Sequence, residues 1–285
     1  MKLLDGKLVS RSIREQIKND VQTYEDRFQG KHIKLAVIQV GDNEASSRYV
    51  RNKEKACHDV GIVSETYKYS DKISLEELKQ HIDNLNKNDD VNGILVQLPL
   101  PKQLESSTDE ILATISTTKD VDGFSDINIG KLSKGTADGF VSCTPFGIMK
   151  LLEFYNINPC GKHCVIIGRS NIVGKPLAML LLNANATVTV CHSKTINLNE
   201  ITKHADILIS AVGKSNFVTK DMVKNEAIVI DVGINSIDGK LCGDVCSDVD
   251  NASYKTPVPG GVGPMTITML LYNTVRAAML QDRGV

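Results

Sequence analysis

The sequence predicts an α/β protein of two lobes, each built around parallel strands. Short apolar runs alternate with segments whose apolar residues recur at helical spacing, which is typical of right-handed βαβ units. This alternation occurs once before residue 116 and again after residue 143. The stretch 116–143 is rich in Gly, Ser, Thr and Asp, and we interpret it as the connection between the lobes.

The composition limits the classes of partner. The chain has 285 residues, enough to bury one large core or two ordinary ones. Its 33 basic and 34 acidic residues give a net charge of −1, and it has no Trp. Neither neutralisation of a phosphate backbone nor base stacking is indicated, so we expect no nucleic-acid partner. No apolar run approaches the ~20 residues that cross a bilayer, so we expect no membrane partner.

The first residues and the cysteines indicate the compartment. Residues 1–7 show no apolar segment of the signal-peptide type. The seven cysteines are scattered, without a C-x-x-C pair or zinc-like spacing. Free thiols are maintained in reducing compartments. We therefore expect a cytoplasmic protein with free cysteines and no bound metal.

The first lobe contains three strand patterns separated by helical ones. Gly61 closes one helix, and Ser74 with Glu77 has the spacing of a capping box at the start of another. Pro99 stops the third strand. The predicted elements are a helix over 7–28, a strand over 34–40, a helix over 44–60, a strand over 62–69, a helix from 74 to about 85 and a strand over 93–98.

The second lobe follows the same alternation. Thr144-Pro145 begins a helix, and a Pro/Gly-rich stretch, 257–264, precedes the last one. The predicted elements are a helix from 144 to about 155, a strand over 165–167, a helical pattern from 178, a strand over 186–191, a helix near 198–204, strands over 206–210 and 227–231, and a helix from about 265 to 280.

One turn in the second lobe is typical of nucleotide binding. An apolar strand ends at Gly168, Arg169 and Ser170 follow in a polar turn, and a helical pattern begins. The Gly permits a tight turn, and the first amides of the helix can face a phosphate. The turn departs from G-x-G-x-x-G because Arg169 takes the second position and the next Gly is Gly174. We interpret it as a Rossmann-type dinucleotide-binding unit, the alternative being a generic strand–turn–helix with basic surface residues.

The strand that follows indicates which dinucleotide is bound. An NAD site usually places an Asp or Glu about 20 residues after the Gly turn, where it holds the ribose 2′-hydroxyl. Here the corresponding segment is His192-Ser193-Lys194-Thr195, which offers a hydroxyl and a cation and no carboxylate. Because this set and Arg169 suit a 2′-phosphate, we predict NADP in preference to NAD.

Three polar residues of the first lobe are candidates for chemistry. Lys53 falls on the apolar stripe of its helix, where desolvation disfavours its charge, and Tyr49 lies one turn earlier. The alternative is a lysine whose stem only covers apolar surface. Gln97 interrupts an apolar strand near its carboxyl end, where open α/β sheets bind ligands, although it could equally satisfy local backbone. Asp122 precedes a Gly and by itself is typical of a turn.

Five motifs follow one another along nearly the whole chain. They are Tyr49-x-x-x-Lys53, Val96-Gln97-Leu98-Pro99-Leu100-Pro101, Asp120-Val121-Asp122-Gly123-Phe124, Gly168-Arg169-Ser170-x-x-Val173-Gly174-x-Pro176 and Thr256-Pro257-Val258-Pro259-Gly260-Gly261-Val262-Gly263-Pro264-Met265-Thr266. Together they resemble the bifunctional methylenetetrahydrofolate dehydrogenase/methenyltetrahydrofolate cyclohydrolase family, and the last motif is highly specific. The chain departs from the family at Ser125-Asp126, where His-Pro is usual, and at Cys246-Ser247 after Gly243-Asp244-Val245.

The resemblance implies a fold and a function. It implies a folate-binding catalytic domain over 1–143, joined by the C-terminal helix 266–285, an NADP-binding domain over 144–265, a cleft between them, and a homodimer. The implied reactions are NADP-dependent oxidation of 5,10-methylenetetrahydrofolate to 5,10-methenyltetrahydrofolate and hydrolysis of that product to 10-formyltetrahydrofolate, in one-carbon metabolism. The alternatives are a dehydrogenase of the same fold without cyclohydrolase activity and a non-catalytic NADP-binding sensor.

The resemblance also implies roles for individual residues. Lys53 is the candidate for proton transfer during water addition, and Gln97 is expected to hold it. Asp122 is expected to accept hydrogen bonds from the pterin, which one carboxylate can do with two oxygens. The further substrate residues are Tyr49, Leu98, Pro259, Gly260 and Gly261. The cofactor residues are Gly168, Arg169, Ser170, Ser193 and Ile234. Val258-Pro259 is in addition a candidate cis peptide bond.

Overall fold

The computed structural model of the chain describes residues 1–136, 138–237 and 239–282. These residues form two compact units. The three-stranded unit comprises residues 12–131, 138–141 and 270–282, and the six-stranded unit comprises 1–11, 132–136 and 142–269. The predicted folate-binding and NADP-binding domains were defined by the ligand that each binds, so their limits stay a prediction.

Strands and helices alternate along most of the chain. The strands are β1 (Lys2–Leu3), β2 (Lys34–Val40), β3 (Val63–Tyr69), β4 (Gly93–Val96), β5 (His163–Ile167), β6 (Thr187–Cys191), β7 (Ile207–Ser210), β8 (Ile228–Asp231), β9 (Asn235–Ile237), β10 (Lys240–Cys242) and β11 (Tyr254–Lys255). The helices are α1 (Gly6–Arg27), α2 (Glu44–Val60), α3 (Leu75–Asn86), α4 (Lys102–Glu105), α5 (Thr108–Ala113), α6 (Asp126–Ser133), α7 (Cys143–Phe154), α8 (Gly174–Asn183), α9 (Leu198–Thr202) and α10 (Val262–Gln281). A 3-10 helix covers Lys220–Met222. The predicted α/β class is confirmed.

The three-stranded unit is a parallel sheet with the strand order β3-β2-β4. β2, the first of these three strands along the chain, lies in the middle, so successive connections lead to opposite sides of it. This arrangement creates a topological switch point between the carboxyl ends of β2 and β4, where open α/β sheets bind ligands. One face of the sheet, with Ile38 opposite Val96, packs against Leu78 and Ile82 of α3.

The six-stranded unit is also parallel throughout, with the order β1-β11-β8-β7-β5-β6. β5 lies between β6 and β7, so a second switch point lies between the carboxyl ends of β5 and β7. Every residue of β7 and β8 is buried, as expected of parallel strands covered on both faces. β9 and β10 form a separate antiparallel pair.

Local signals in the sequence place α2. The Asn43 side chain accepts a hydrogen bond from the Ser46 amide at the start, and Gly61 ends the helix with a φ of 89°. The buried stripe is Ser46, Val50, Ala56, Cys57 and Val60. Burial raises the pKa of the Cys57 thiol to about 12, and all seven cysteines are free thiols.

Helix α10 contributes to both units, with Met269 in the six-stranded unit and Leu270 in the three-stranded unit. The Asn273 amide nitrogen donates to the carbonyls of Val121 at 2.8 Å and Val141 at 3.0 Å, which fixes this helix within the three-stranded unit. Among the described residues, no helix is both long enough and apolar enough to cross a membrane.

The stretch 116–143 is more structured than the sequence predicted. It contains α6, and Asp120 forms an isolated parallel bridge with Ile94. The sequence prediction missed α6 because the helix has no clean apolar stripe, as the 58% exposure of Ile127 shows. The short helices α4 and α5 and the short strands β1, β9, β10 and β11 were also missed, since periodicity needs longer segments.

Candidate active site

Lys53 and Gln97 meet at the carboxyl end of the three-stranded sheet. Lys53 projects from α2 and is half-buried, whereas Gln97 directly follows β4 and is only 9% exposed. The Lys53 ammonium donates to the Gln97 amide oxygen at 3.0 Å. The acceptor is a neutral amide, so Gln97 fixes the position of the ammonium without neutralising its charge.

Gln97 is itself fixed on two sides. Its backbone amide donates to the carbonyl of Ile38 at 2.8 Å, and its side-chain nitrogen donates to the carbonyl of Leu98 at 2.6 Å. Gln97 therefore satisfies local backbone while its side-chain oxygen accepts the hydrogen bond from Lys53, and its role toward a ligand stays a prediction. The adjoining Leu98-Pro99 bond is cis, which was not predicted from the sequence.

The rest of α2 has one buried face and one exposed face. Val50 and Cys57 are buried, whereas Arg51 and Lys55 are exposed. Tyr49, on the turn before Lys53, is 38% exposed. Desolvation raises the pKa of the Tyr49 phenol, so its hydroxyl stays neutral and can donate a hydrogen bond.

Asp122 is half-buried in a turn organised by another carboxylate. Asp120 is 1% exposed and accepts hydrogen bonds from the amides of Phe124 at 3.1 Å and Ser125 at 2.8 Å and from the Asn128 side chain at 2.8 Å. These bonds close the loop around residues 121–123. Asp120 thus shapes the loop, and Asp122 lies half-buried within it.

The departure at Ser125-Asp126 produces a capped helix start. The Ser125 hydroxyl accepts from the Asn128 amide at 3.4 Å, and its carbonyl accepts from Ile129 at 2.9 Å. Asp126 is the first residue of α6, where a negative charge complements the helix dipole. The Ser-Asp pair therefore supports a helix at the place where the loop carrying Asp122 ends.

The glycine turn after β5 is tightly built. Gly168 has a φ of 128°, and a Cβ there would lie 2.5 Å from the carbonyl oxygen of Ala211. A Cβ on Gly174, the first residue of α8, would lie 2.2 Å from the carbonyl oxygen of Gly168. The Ser170 hydroxyl accepts from the amides of Val173 at 3.2 Å and Gly174 at 3.4 Å. The backbone can hold this turn only because both glycines lack side chains.

Arg169 and Ser193 project from neighbouring strand ends. The Gly168 amide donates to the carbonyl of Cys191 at 2.9 Å, which joins the ends of β5 and β6, and both Arg169 and Ser193 are exposed beyond them. Ile234, 47% exposed, follows β8 and so lies two strands from β5 on the opposite side. The residues predicted to bind the cofactor thus lie at the carboxyl edge on both sides of the switch point.

The Pro259–Gly261 segment rests on the start of α1. A Cβ on Gly6 would lie 1.8 Å from the carbonyl oxygen of Gly261, and the Lys7 amide donates to the carbonyl of Gly260 at 3.1 Å. The Val258-Pro259 bond is cis, as predicted. In the described part of the chain, no group of three or more His, Cys, Asp or Glu residues could hold a metal ion.

Two family models match the chain and together cover most of it. The tetrahydrofolate dehydrogenase/cyclohydrolase catalytic domain matches residues 4–122, and the NAD(P)-binding domain of the same family matches residues 142–282. The chain belongs to the tetrahydrofolate dehydrogenase/cyclohydrolase family.

Whole-chain comparisons agree with the family models. The chain is 54% identical over 279 residues to the bifunctional protein FolD of Lysinibacillus sphaericus, covering 97% of this chain and 96% of the relative. The crystal structure of the bifunctional enzyme FolD of Campylobacter jejuni has a TM-score of 0.95 at 52% identity, covering 98% of this chain and 99% of that one. The FolD structure of Trypanosoma brucei, complexed with NADP cofactor and inhibitor, has a TM-score of 0.92 at 36% identity, covering 98% and 97%.

These comparisons confirm the predicted family, the two-domain α/β fold and the enzyme class. As a member of the tetrahydrofolate dehydrogenase/cyclohydrolase family, the chain is an enzyme with a dehydrogenase and a cyclohydrolase activity and an NAD(P)-binding domain.

Several residues that shape the family fold here were not found from the sequence. Gly6 seats the Pro259–Gly261 segment, and Gln39 links the end of β2 to α2 by donating to the Ser47 hydroxyl at 2.8 Å. The local signals were weak: Gly6 is a glycine before a helical pattern, and Gln39 is a polar residue within an apolar strand. Asp244 is the third such residue: it is fully buried, and no function was predicted for the motif that contains it.

Proposed function

We propose that the chain oxidises 5,10-methylenetetrahydrofolate with NADP and then hydrolyses the methenyl product to 10-formyltetrahydrofolate, with Lys53 as the proton-transfer residue of the second step. The observation that carries this assignment is the 3.0 Å hydrogen bond from the Lys53 ammonium to Gln97 at a sheet switch point. A lysine and an amide held together at such an edge can bind a polar substrate and move a proton beside it.

The dehydrogenase step requires alignment more than acid–base chemistry. NADP in its oxidised form accepts a hydride from the methylene carbon, and the folate nitrogens stabilise the resulting methenyl cation. Tyr49 flanks the folate rings, with its neutral hydroxyl at the partly exposed face of α2. Asp122 accepts hydrogen bonds from the donor edge of the pterin. Holding the substrate in one orientation is the contribution of these residues.

The cyclohydrolase step requires proton transfer. Water adds to the methenyl carbon, and its oxygen loses two protons as it becomes the formyl carbonyl. One carbon–nitrogen bond of the ring breaks, the released nitrogen gains one of these protons, and the other passes to solvent, which discharges the cation. Lys53 relays these protons, and Gln97 holds the Lys53 ammonium by accepting its hydrogen bond at 3.0 Å. Leu98, Pro259, Gly260 and Gly261 complete the substrate residues of the proposal.

The dinucleotide binds at the carboxyl edge of the six-stranded sheet. Gly168 and Ser170 supply the turn that approaches the phosphates, and Ile234 offers an exposed apolar contact. Arg169 and Ser193, which are exposed at neighbouring strand ends, suit a 2′-phosphate. The NADP complex of the Trypanosoma brucei relative supports the choice of NADP.

The setting of the enzyme is part of the proposal. We infer a cytoplasmic homodimer that acts on tetrahydrofolate derivatives in one-carbon metabolism, without a nucleic-acid or membrane partner. The net charge of −1 and the free thiols support this setting.

One spectrophotometric experiment tests the function. The chain is assayed with methylenetetrahydrofolate and either NADP or NAD, and separately with the methenyl compound in the absence of any dinucleotide. We expect reduction of NADP in the first assay, with NAD used less well, and hydrolysis in the second. Hydride transfer without hydrolysis would indicate a dehydrogenase alone. The absence of both reactions would overturn the proposal.

A further inference from the structure

Two buried carboxylates lie near the carboxyl edge of the six-stranded sheet and have no part in the chemistry above. Asp231 ends β8 and is 3% exposed, and Asp244 is fully buried, at 0%. Each carboxylate packs against a glycine that is close in sequence to the other carboxylate. A Cβ on Gly233 would lie 2.0 Å from Asp244 Oδ1, and one on Gly243 would lie 1.9 Å from Asp231 Oδ2. Any side chain at either glycine would displace a carboxylate.

Asp244 accepts hydrogen bonds from two separate segments of the chain. One segment is the end of β7 with the loop after it, and the other is the residue that begins β9. The donors are Ser210 Oγ at 3.1 Å, Val212 N at 2.8 Å and Gly213 N at 3.3 Å on Oδ2, and Lys214 N at 2.9 Å and Asn235 Nδ2 at 3.1 Å on Oδ1. A buried carboxylate needs such donors, and in return it orders the groups that supply them.

Asp231 holds Asp244 in place. Its oxygens accept from the backbone amides of Asp244 at 2.9 Å, Val245 at 2.9 Å and Gly233 at 3.0 Å. The carboxyl end of β8 is thereby joined to the segment that carries Asp244. The two carboxylates form one network that reaches from the end of β8 to the loop after β7.

The segments ordered by Asp244 border the glycine turn. The Ala211 amide donates to the carbonyl of Ile167 at 2.8 Å, and the Ala211 carbonyl leaves no room for a Cβ on Gly168. Ile234 stands between Gly233 and Asn235, both of which contact the Asp244 side chain. A single carboxylate therefore determines the backbone on the β7 and β8 side of the switch point.

We propose that Asp244 is a positioning residue for the dinucleotide, which shapes residues 211–214 and 233–235 into the wall that receives it. The inference rests on the proposed function, because it takes this edge as the dinucleotide site. The residue has to be a carboxylate. In either orientation of an asparagine amide, its NH2 group would face at least one backbone N–H, from Val212 and Gly213 or from Lys214.

The test compares Asp244→Asn with Asp248→Asn, which removes an exposed carboxylate four residues away. NADP affinity is measured by equilibrium titration, and the KM for NADP is measured in the dehydrogenase assay. The rate of methenyltetrahydrofolate hydrolysis is measured separately, in the absence of any dinucleotide. We expect Asp244→Asn to weaken NADP binding by about tenfold or more, as follows when buried donors lose their acceptor. Hydrolysis without NADP and all properties of Asp248→Asn should stay at the wild-type level.

A milder variant covers the case in which Asp244→Asn fails to fold. Asn235→Ala removes one donor to Asp244 and should raise the KM for NADP by about threefold, since a single hydrogen bond is lost. Wild-type NADP affinity in a folded Asp244→Asn, or in Asn235→Ala if that is the folded variant, would overturn the inference. An equal loss of both activities would show a role in folding alone and overturn it too. If the wild-type chain binds no NADP, the proposed function itself fails.

Discussion

The two switch points of this chain have the same topology and carry different chemistry. At the three-stranded sheet, the carboxyl edge between β2 and β4 holds two side chains, and the Lys53 ammonium is bound by the Gln97 amide oxygen. At the six-stranded sheet, the edge between β5 and β7 is lined by backbone, with Gly168 packed against the Ala211 carbonyl. One edge offers a group that can move a proton, and the other offers amides that can approach a phosphate.

The comparison shows that strand order selects the place and local residues select the chemistry. In the three-stranded sheet β2 lies between β3 and β4, and in the six-stranded sheet β5 lies between β6 and β7. What differs is the residue that follows each strand: Gln97 after β4 and Gly168 after β5. The two functions of the enzyme should therefore be separable by single substitutions.

The largest separation is expected from Lys53→Met. Without the ammonium, water addition loses its proton-transfer group, and the rate of methenyltetrahydrofolate hydrolysis should fall by about a thousandfold. NADP affinity, measured by titration, should not change. Lys55→Met is the matched control, because Lys55 lies on the exposed face of the same helix in a surface ion pair with Asp59. Hydrolysis at the wild-type rate in Lys53→Met would remove Lys53 from the mechanism.

Gly168→Ala should produce the converse effect. A side chain there meets the Ala211 carbonyl at 2.5 Å in a backbone conformation that favours Gly. NADP affinity should fall on the order of a hundredfold, and dinucleotide-free hydrolysis should persist. Gly161→Ala provides the control, since Gly161 has a φ of 72° with open space around it, so that variant has backbone strain without the collision. Equal losses of NADP affinity in the two variants would show that the close approach is unimportant.

Gln97→Leu should weaken the first edge without abolishing it. Leu preserves the side-chain volume and removes the acceptor of the Lys53 ammonium, so hydrolysis should slow by about tenfold or more. The affinity for NADP should be unaffected. The control is Gln103→Leu on the exposed surface of α4. If Gln97→Leu and Gln103→Leu hydrolyse the methenyl compound equally fast, the contact between Lys53 and Gln97 has no catalytic consequence.

The smallest effect is expected at the start of α6. Ser125→Ala removes the hydroxyl that accepts from the Asn128 amide, which should cost about 1 kcal/mol of unfolding free energy. The KM for the folate substrate should rise slightly, because the loop carrying Asp122 ends at this cap. Thermal and urea unfolding of Ser125→Ala and of the exposed control Ser106→Ala would measure the difference. No difference between them would mean that the cap does not stabilise this region.

Much of this architecture could be predicted because it depends on periodic patterns of apolar residues within short segments. The seven strands of four or more residues and most of the helices between them follow from apolar periodicity, Gly61 marks the end of α2, and Gly168 marks the turn after β5. α6 could not be predicted, because it forms through its cap and its contacts rather than through an apolar stripe. Gly6 escaped notice for a similar reason: its close neighbour, Gly261, is remote in the sequence.

The sequence by itself determined the α/β class, the family and the presence of a lysine on an apolar stripe, since these depend on residue spacing within segments and on the order of short motifs along the chain. Only the tertiary structure decided that the Lys53 ammonium reaches Gln97, 44 positions away, and that Asp244 collects amides from the loop after β7. The physical reason is that a parallel sheet brings the ends of distant strands to one edge. Which side chains then meet depends on strand order and register, and local periodicity contains neither.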